Sequence, residues 1–417
     1  MPKLTITKSE ELYQEALKYI PGGVIGIRRP LNFVPGEYPI FFEKGKGGMM
    51  WDPDGNEFID LLCGYGPIIL GHAEDELDAA VSAHMKQGFC FNLAQKWQNE
   101  LAKKVCSIIP CAEQCFFVKT GSGATSAAVR LARAFTGKMK VLQHGYHGWA
   151  DWCAPVKGGI PEYVYRDTIP FPYNDLPELE RLMEEHKEDL AAIMITPLSH
   201  ELNHEIEPPK AGYLEGVRAL ATKHNVVLIF DEIRTGFRVA IGGMQEKYKV
   251  KPDLCTMGKA MGNGYAIAMV CGKKELMQPM VDGKVFISST YFPNSLEMVA
   301  ALKVIEIMER ENVIDAIWKK GEGIMKKISA AIEDTKAKAH LSGIPPMWFI
   351  SFPNVEGGDS KAYRDRRVRF FTECIQRGLF MQPFHHAYIA WRHTDEQLGK
   401  AANIIKESLS IVMKELP

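Results

Sequence analysis

The stretch Val226-Val227-Leu228-Ile229-Phe230-Asp231-Glu232-Ile233 is a run of apolar, mostly β-branched and aromatic residues with two acids near its end. An apolar run of this length is typical of a strand that is buried on both faces, as in a parallel sheet. Asp231 then lies at the carboxyl end of the strand, the edge where open α/β sheets bind ligands. Lys259 follows another apolar run, at 254–257, and precedes Gly262-Asn263-Gly264. We therefore expect a carboxylate and an amine to meet at one sheet edge.

Two interpretations of Asp231 and Lys259 are open. A buried acid near a lysine can be a structural ion pair. The same two groups also suit pyridoxal phosphate, because the amine can form a Schiff base and the acid can keep the pyridine nitrogen protonated.

The bulk properties exclude several classes of protein. A chain of 417 residues exceeds the usual size of one core, so two domains, or one large domain with a lobe, are expected. With 50 Lys+Arg against 51 Asp+Glu there is no basic field for nucleic acid. We find neither a membrane-spanning apolar segment nor a signal core, which predicts a cytoplasmic protein. Nine scattered cysteines without a C-x-x-C pair predict reduced thiols.

Strand and helix patterns alternate through the first three quarters of the chain, which predicts an α/β fold with a mainly parallel sheet. From Asn294 onward the pattern changes to that of a smaller α+β lobe. Helices are expected at 9–20, 75–86, 95–109, 176–186, 213–224, in one long stretch from 294 to 331, at 363–377 and from 395.

The segment Thr120-Gly121-Ser122-Gly123-Ala124-Thr125-Ser126 follows a short strand and opens a helix. Free amides, hydroxyls and the positive end of a helix dipole make such a turn a phosphate site. A plain helix N-cap is the alternative. The dinucleotide fingerprint does not match, because Ser126 stands in place of its third glycine.

Three further segments carry candidate groups. Tyr146 and His147 follow a strand and could stack on a planar cofactor or pack at the edge of the core. The segment from Cys63 to Pro67, which contains Tyr65, is rich in glycine and either approaches a ligand or makes a tight connection. Arg28 and Arg29 are adjacent, which suits either carboxylate binding or a solvated loop.

The sequence His200-Glu201-Leu202-Asn203-His204 matches the zinc-hydrolase motif H-E-x-x-H. That motif requires a helix, on which both histidines share one face. Pro197 and Pro208-Pro209 flank it without a helical apolar stripe, so we expect a loop and no metal. A zinc hydrolase that uses His200 and His204 is the alternative from another class of enzyme.

These motifs, taken in order, resemble the class III pyridoxal-phosphate aminotransferases, and most of all their glutamate-1-semialdehyde 2,1-aminomutase branch. The resemblance covers nearly the whole chain. It is carried by Pro21-Gly22-Gly23-Val24, Trp51-Asp52-Pro53-Asp54-Gly55-Asn56, Gly71-His72, 130–137, Tyr146-His147-Gly148, Pro172-Tyr173-Asn174-Asp175, 231–238, 242–248, Pro252-Asp253-Leu254 and Gly258-Lys259.

The resemblance implies fold type I and a homodimer that shares its active sites. It implies a large cofactor domain at 66–300, a small domain at 301–417, and an N-terminal segment at 1–65 that contributes to the small lobe. Lys259 would be the Schiff-base lysine that moves the proton, and Asp231 would pair with the pyridinium nitrogen.

The same resemblance implies the remaining cofactor contacts. Tyr146 and Ile233 would sandwich the ring. Gly121 and Ser122 would hold the phosphate, and Thr290 would reach it from the partner subunit.

Departures from the family pattern bear on the substrate. Gly123 stands where the phosphate segment has a glutamate, and Thr196-Pro197 replaces the usual Glu-Pro. Arg29 falls at the carboxylate-binding arginine of the aminomutase branch, and we place Tyr65 and Thr196 with it among the substrate residues. The mobile loop of that branch, at 150–167 here, is short.

A short loop favours transfer between two molecules over an internal shift of the amine. We therefore predict an aminotransferase that moves an amino group from an amine or amino acid donor to a carbonyl acceptor. A 2,1-aminomutase or an amino-acid racemase on the same cofactor is the alternative.

Overall fold

The computed structural model describes residues 4–25, 32–201, 204–354 and 360–416. The strands, in chain order, are β1 (Lys44–Lys46), β2 (Met49–Trp51), β3 (Glu57–Asp60), β4 (Gln114–Val118), β5 (Lys140–His144), β6 (Thr168–Pro170), β7 (Leu190–Ile195), β8 (Val227–Asp231), β9 (Leu254–Met257), β10 (Ala268–Gly272), β11 (His340–Ile344), β12 (Met347–Ser351), β13 (Leu379–Phe380) and β14 (Ala387–Tyr388).

The helices are α1 (Thr7–Ala16), α2 (Asp75–Met85), α3 (Lys96–Ile108), α4 (Gly121–Thr136), α5 (Glu162–Tyr165), α6 (Leu176–His186), α7 (Tyr213–Lys223), α8 (Met244–Tyr248), α9 (Lys274–Val281), α10 (Leu296–Arg310), α11 (Val313–Thr335), α12 (Lys361–Gln376) and α13 (Asp395–Glu415). Short 3₁₀ turns lie at Pro21–Gly23, Cys63–Tyr65 and Lys259–Gly262. No helix in the described part of the chain is long and apolar enough to cross a membrane.

The chain divides into two compact units. Unit 1 comprises Met1–Glu74, Leu202–Ile206 and Asp315–Pro417, and unit 2 comprises Asp75–Glu201 and Glu207–Ile314. These breaks differ from the expected domain limits at 65 and 300 by 9 and 14 residues, and one short internal segment belongs to unit 1.

Unit 2 is built on a seven-stranded sheet of order β4-β10-β9-β8-β7-β5-β6. Strand β10 runs antiparallel to both of its neighbours, and the other pairs are parallel. The predicted α/β fold with a mainly parallel sheet is therefore confirmed. Because β10 runs antiparallel to both β4 and β9, these two strands run parallel to each other. The carboxyl ends of β4, β5, β7, β8 and β9 therefore lie at the same edge of the sheet.

The core of this sheet explains the apolar runs of the sequence. Every residue of β7 and β8 is buried. Helix α4 packs on the sheet through small residues such as Ala127, Ala128 and Ala132, which are almost fully buried. Small side chains let the helix axis approach the sheet closely, and they place the start of α4 beside the carboxyl edge.

Unit 1 contains two smaller sheets. One has the order β1-β2-β3-β13 and the other the order β11-β12-β14. Only the pairing of β3 with β13 is parallel among these strands. Helices α12 and α13 pack against each other in the same unit.

Two helix predictions were wrong in their limits. The expected stretch from 294 to 331 is two helices, α10 and α11, separated by Asn312, whose φ is 49°. Asparagine tolerates this left-handed backbone conformation. A right-handed helix cannot continue through a residue in this conformation, so α10 and α11 are separate. Helix α1 ends at Ala16, before the expected end at Ile20.

Helix α11 offers a matched pair of glycines for a stability test. An alanine at Gly321 would place its Cβ 1.9 Å from the carbonyl oxygen of Pro345, whereas one at Gly323 meets nothing within 4 Å. We expect Gly321→Ala to lower the free energy of unfolding by about 1–3 kcal/mol, because backbone cannot move aside cheaply. Gly323→Ala should raise it by about 0.5–1 kcal/mol. Denaturant unfolding of both variants measures this, and equal effects would contradict the described packing.

Candidate active site

The carboxyl edge of the unit 2 sheet collects the polar groups that the sequence analysis selected. Asp231 ends β8, Lys259 follows β9, and Tyr146 follows β5. Thr196 comes directly after β7, and the turn at Gly121 and Ser122 connects β4 to α4. Five strand ends thus contribute to one site. They meet because these five strands run in the same direction, so that their carboxyl ends lie at the same edge of the sheet.

Asp231 is buried and accepts three hydrogen bonds. The Nδ1 of His147 lies 2.7 Å from its Oδ2. Its Oδ1 accepts from the backbone N of Ile233 at 3.1 Å and from the Oγ1 of Thr256 at 3.2 Å. A buried carboxylate needs such partners to replace water. They fix the acid at the strand end, between donors from β9 and from the segment after β5.

His147 is buried behind Asp231. Its ring lies parallel to that of Trp152, with centroids 6.3 Å apart and an interplanar angle of 9°. The Nε2 of His147 is buried and has no hydrogen-bond partner among the described residues. When Nδ1 carries a proton, it donates to the Asp231 carboxylate. The imidazole therefore orients Asp231 by one strong hydrogen bond.

Lys259 stands at the start of a 3₁₀ turn with a φ of 49°. Desolvation by burial, reinforced by the positive charge of Arg234, lowers the pKa of its amine to about 7, although Asp231 opposes the shift. A neutral amine is the form that attacks carbonyl carbons and accepts protons. The surroundings of Lys259 therefore prepare it for such chemistry near neutral pH.

Arg234 and Arg238 place two buried positive charges near this amine. Arg234 donates from Nη1 to the carbonyl oxygen of His200 at 2.9 Å, and its guanidinium lies 6.0 Å from the ring centroid of Tyr146. Arg238 is fully buried. Both charges contribute to the lowered pKa of Lys259.

Glu232 is fully buried beside Asp231. Desolvation raises its pKa to about 7, against hydrogen bonds from Met244, Gln245 and Thr235. Gly243 makes room for it, since a Cβ there would lie 2.1 Å from a carboxylate oxygen of Glu232. The carboxylate thus ties the loop before α8 to the end of β8.

The turn at the start of α4 forms a cradle of small residues. Thr120 caps the helix by accepting a hydrogen bond from the backbone N of Gly123 at 3.1 Å. The first-turn amides of a helix have no partner within it. A Cβ at Gly148 would lie 2.2 Å from the Oγ of Ser122, and one at Gly121 would lie 3.1 Å from Ile233. Only glycines allow the strand ends to close around this turn.

Three further predicted site residues, Tyr65, Thr290 and Thr196, lie in the described part of the chain. Arg29 is outside the described residues. Tyr65 belongs to unit 1, where its hydroxyl lies 3.0 Å from the Oε1 of Gln382 and its ring packs edge-on against His385. Thr290 is exposed in unit 2. Thr196 is fully buried, and its Oγ1 has no hydrogen-bond partner in the described part of the chain.

The described residues of the H-E-x-x-H stretch, His200, Glu201 and His204, are not helical. His200 lies outside the helices, directly after a β-bridge at Ser199, and Leu202 and Asn203 are not described. The Nη1 of Arg234 lies 3.3 Å from the Nδ1 of His200. A guanidinium at that position disfavours a second cation.

Sequence reasoning missed the roles of three buried groups. His147 was noted only as a possible stacking residue, and neither Glu232 nor Arg234 was selected. The signal for Glu232 was available, because two consecutive acids at the end of a buried strand cannot both face solvent. The role of His147 could not be read from the sequence, because its hydrogen-bond partner Asp231 is 84 positions away along the chain.

Comparisons with known proteins agree on the kind of protein. A family model described as aminotransferase class III matches residues 34–409. The 3-aminobutyryl-CoA aminotransferase of Cloacimonas acidaminovorans (strain Evry) is 51% identical over 415 residues, with 99% of each chain covered. A glutamate-1-semialdehyde 2,1-aminomutase of Methanothrix thermoacetophila is 33% identical, with 97% of this chain and 96% of that protein covered.

Solved structures show the same architecture. The FumI protein of Sphingopyxis sp. MTA144, in its pyridoxal-phosphate internal aldimine form, has a TM-score of 0.92 at 26% identity, covering 98% of this chain and 97% of its own. An omega-transaminase from Sphaerobacter thermophilus has a TM-score of 0.89 at 24% identity, covering 97% and 98%.

The lowered pKa of Lys259 predicts a pH dependence. Below pH 7 its amine is mostly protonated, and above pH 7 it is mostly neutral and reactive. We expect covalent labelling of Lys259 by an amine-directed reagent, in protein freed of bound ligands, to rise to half of its maximum near pH 7. Exposed lysines should follow the ordinary value of about 10.4. In Arg234→Met the midpoint should shift to higher pH. Mass spectrometry of the labelled peptides tests this, and a midpoint near 10 would refute it.

Proposed function

The chain belongs to the class III aminotransferases and is a pyridoxal-phosphate-dependent aminotransferase, and from this premise we propose that Lys259 is its Schiff-base lysine and a 3-aminoacyl-CoA thioester its amino donor. The observation that supports the first part is a lysine amine with a pKa of about 7 at the carboxyl edge that also carries Asp231. The second part is supported by the relative with 51% identity, which is named for 3-aminobutyryl-CoA.

The described residues fit the cofactor. Glycine at 148 lets the segment after β5 come close to Ser122 in the first turn of α4, because a Cβ there would lie 2.2 Å from the Oγ of Ser122. The N-terminus of that helix is suited to a phosphate dianion. We propose that Gly121 and Ser122 hold the phosphate and that Tyr146 and Ile233 lie on the two faces of the ring.

Pyridoxal phosphate supplies an aldehyde that condenses with amines and a ring that accepts electron density from the adjacent carbon. We propose that Asp231 holds a proton on the ring nitrogen by a hydrogen bond. His147 keeps the carboxylate oriented, because its Nδ1 lies 2.7 Å from Oδ2. Lys259, as a free amine, would take the proton from the substrate carbon that bears the amino group and would deliver it to the cofactor. Its low pKa makes it a base near pH 7.

The substrate side of the site lacks a carboxylate at one position. Thr196, which replaces the glutamate of the family pattern, offers a buried, uncharged hydroxyl without a partner. We propose that an uncharged group at this position is compatible with a thioester substrate, whereas a glutamate would place a negative charge there. Arg29, at the carboxylate-binding position of the aminomutase branch, would then serve the carbonyl acceptor, a 2-oxo acid.

We propose that the protein is a homodimer and that Thr290 contacts the phosphate bound by the partner subunit. Phe286 is 80% exposed and Tyr291 62% exposed, which places large apolar surface on both sides of Thr290. Such surface is typical of an interface between subunits.

The cysteines are all free, as expected in the reducing cytoplasm, where we propose that the protein works.

Half-reaction assays test the proposed donor. The holoenzyme is mixed with 3-aminobutyryl-CoA, with free 3-aminobutyrate or with glutamate-1-semialdehyde, and the carbonyl product and the change in cofactor absorption are measured. We expect the CoA thioester to react at least about 100-fold faster than the free acid, since remote binding energy accelerates the reacting centre. Isomerisation of glutamate-1-semialdehyde without release of a carbonyl product would favour the aminomutase instead. Equal rates with the thioester and the free acid would refute the donor assignment.

Variants test the proposed roles of Lys259 and Asp231. We expect Lys259→Ala to lower the rate of the half-reaction by at least about 100-fold, because a positioned general base contributes that much. Asp231→Asn should also lower it, since an amide cannot stabilise a protonated ring nitrogen by charge. Lys274→Ala, at an exposed lysine of the same unit, is the control and should leave the rate unchanged. Full activity of Lys259→Ala would contradict the assignment.

Sedimentation and cofactor affinity test the shared site. We expect the holoenzyme to sediment as a dimer. Thr290→Val should weaken pyridoxal phosphate binding by roughly 10–100-fold, because it removes a hydrogen bond to a charged group worth about 1.5–3 kcal/mol. Ser289→Ala, at the preceding exposed residue, is the matched control. A monomer that binds the cofactor normally, or a Thr290→Val variant with unchanged affinity, would contradict the proposal.

A further inference from the structure

A cluster of three buried thiols lies in unit 2, on residues to which the proposed reaction assigns no role. The Sγ atoms of Cys111, Cys255 and Cys271 lie within 4.8 Å of one another, and all three residues are buried. They are free thiols. The sequence shows no metal-binding spacing here, because the three residues come from a loop and two different strands.

The sheet places these thiols side by side. Cys255 on β9 pairs directly with Cys271 on β10, and Cys271 pairs in turn with Cys115 on β4. Residues directly opposite each other in antiparallel strands project from the same face. Three cysteines therefore form a row across three neighbouring strands.

Cys111 joins the row from the segment between α3 and β4. Its backbone N donates to the Oε1 of Gln245 at 3.0 Å. The backbone N of Ala112 donates to the carbonyl oxygen of Ile109 in the same turn. These hydrogen bonds fix the turn and keep the Cys111 thiol close to the thiols of Cys255 and Cys271, although no covalent bond joins them.

Sulfur atoms also line a cavity at the Cys115 end of this row. A cavity of about 420 Å³ in unit 2 is bordered by Cys106, Cys115, Met277 and Met280 among other residues. Cys115 is half-buried, so one end of the row borders this open cavity and the other end is enclosed. Thioethers and thiols bind soft cations and have little affinity for hard ones.

We propose that Cys111, Cys255 and Cys271 form a binding site for a soft metal ion, monovalent copper. Metal–sulfur bonds of about 2.3 Å in a trigonal plane separate the sulfur atoms by about 4 Å, so the cluster has only to contract slightly. Each ligating thiol releases its proton to solvent and forms one bond to the metal. No group is oxidised or reduced.

The number of ligands distinguishes copper from zinc. Structural zinc sites have four protein ligands. Within the described ranges, the group contains three candidate ligands and no histidine or carboxylate. Three soft sulfur ligands, approached past methionine and cysteine, match monovalent copper.

Competition for copper tests the proposal. The reduced, full-length holoenzyme is titrated without oxygen into monovalent copper held by a chromophoric chelator, and the loss of the chelator's colour is measured. The wild type should withdraw one equivalent of copper. Cys255→Ala and Cys111→Ala should each weaken binding at least about 100-fold, since even the loss of a supporting contact to a ligand costs 10–100-fold.

One control variant and the choice of a second ligand variant make the result specific. Cys374→Ala removes an isolated, fully buried cysteine of unit 1 and should bind copper as the wild type does. Cys111→Ala changes the most exposed of the three ligands, so it keeps the test valid if Cys255→Ala fails to fold. Retained aminotransferase activity and circular dichroism show that a variant is folded.

Several outcomes would overturn the proposal. The wild type could fail to compete for copper, or it could take up zinc in place of copper. Unchanged affinity in both ligand variants would place the ion elsewhere. Loss of binding in Cys115→Ala but not in Cys111→Ala would place it in the open cavity. X-ray absorption of the loaded wild type should show copper bound to sulfur alone.

Discussion

The burial of the Asp231 carboxylate is the constraint on which the site depends. A charge removed from water must be stabilised by protein groups, and here these come from three places: Thr256 on β9, the backbone of Ile233, and His147 after β5. Each partner belongs to a different strand end, so the acid can be buried only when these strands are in register. Folding of the sheet and assembly of the site are therefore one event, and a slip of any strand would leave a buried charge without its partners.

A second buried acid extends this arrangement away from the carboxyl edge. Glu232 is held by Thr235 and by the start of α8, and the Nε2 of Gln245 donates to it at 3.2 Å. The Oε1 of the same glutamine accepts from the backbone of Cys111. Gln245 thus joins the segment after β8 to the turn that presents the thiol cluster. Through Gln245, two hydrogen bonds therefore connect the backbone of Cys111 with Glu232, the neighbour of Asp231.

The sequence predicted those features that depend on short stretches of chain. The apolar run before Asp231 and the alternation of patterns were sufficient for the sheet and its carboxyl edge, whereas the cofactor followed from the resemblance to a known family. Features that depend on pairing between distant residues were not predicted. The hydrogen bond of His147 to Asp231 and the row of cysteines exist only because particular strands lie side by side, and an isolated imidazole or thiol carries no such signal. The break at Asn312 was missed for another reason, since apolar positions continue with helical spacing on both sides of it.

The replacement at Thr196 connects the chemistry of the lysine to the choice of substrate. A carboxylate at this edge would favour the charged form of a nearby amine and raise its pKa. The hydroxyl does not, and the buried charges of Arg234 and Arg238 then act on Lys259 with Asp231 as the opposing acid. With a pKa of about 7, the amine is about half neutral at pH 7, and the guanidinium groups of Arg234 and Arg238 are buried near it. Under the proposed function, these two charges would attract an anionic carbonyl acceptor and would leave the uncharged thioester of the donor to be recognised through the rest of the molecule. The threonine at 196 would then both favour the neutral base and move substrate recognition away from the reacting carbon.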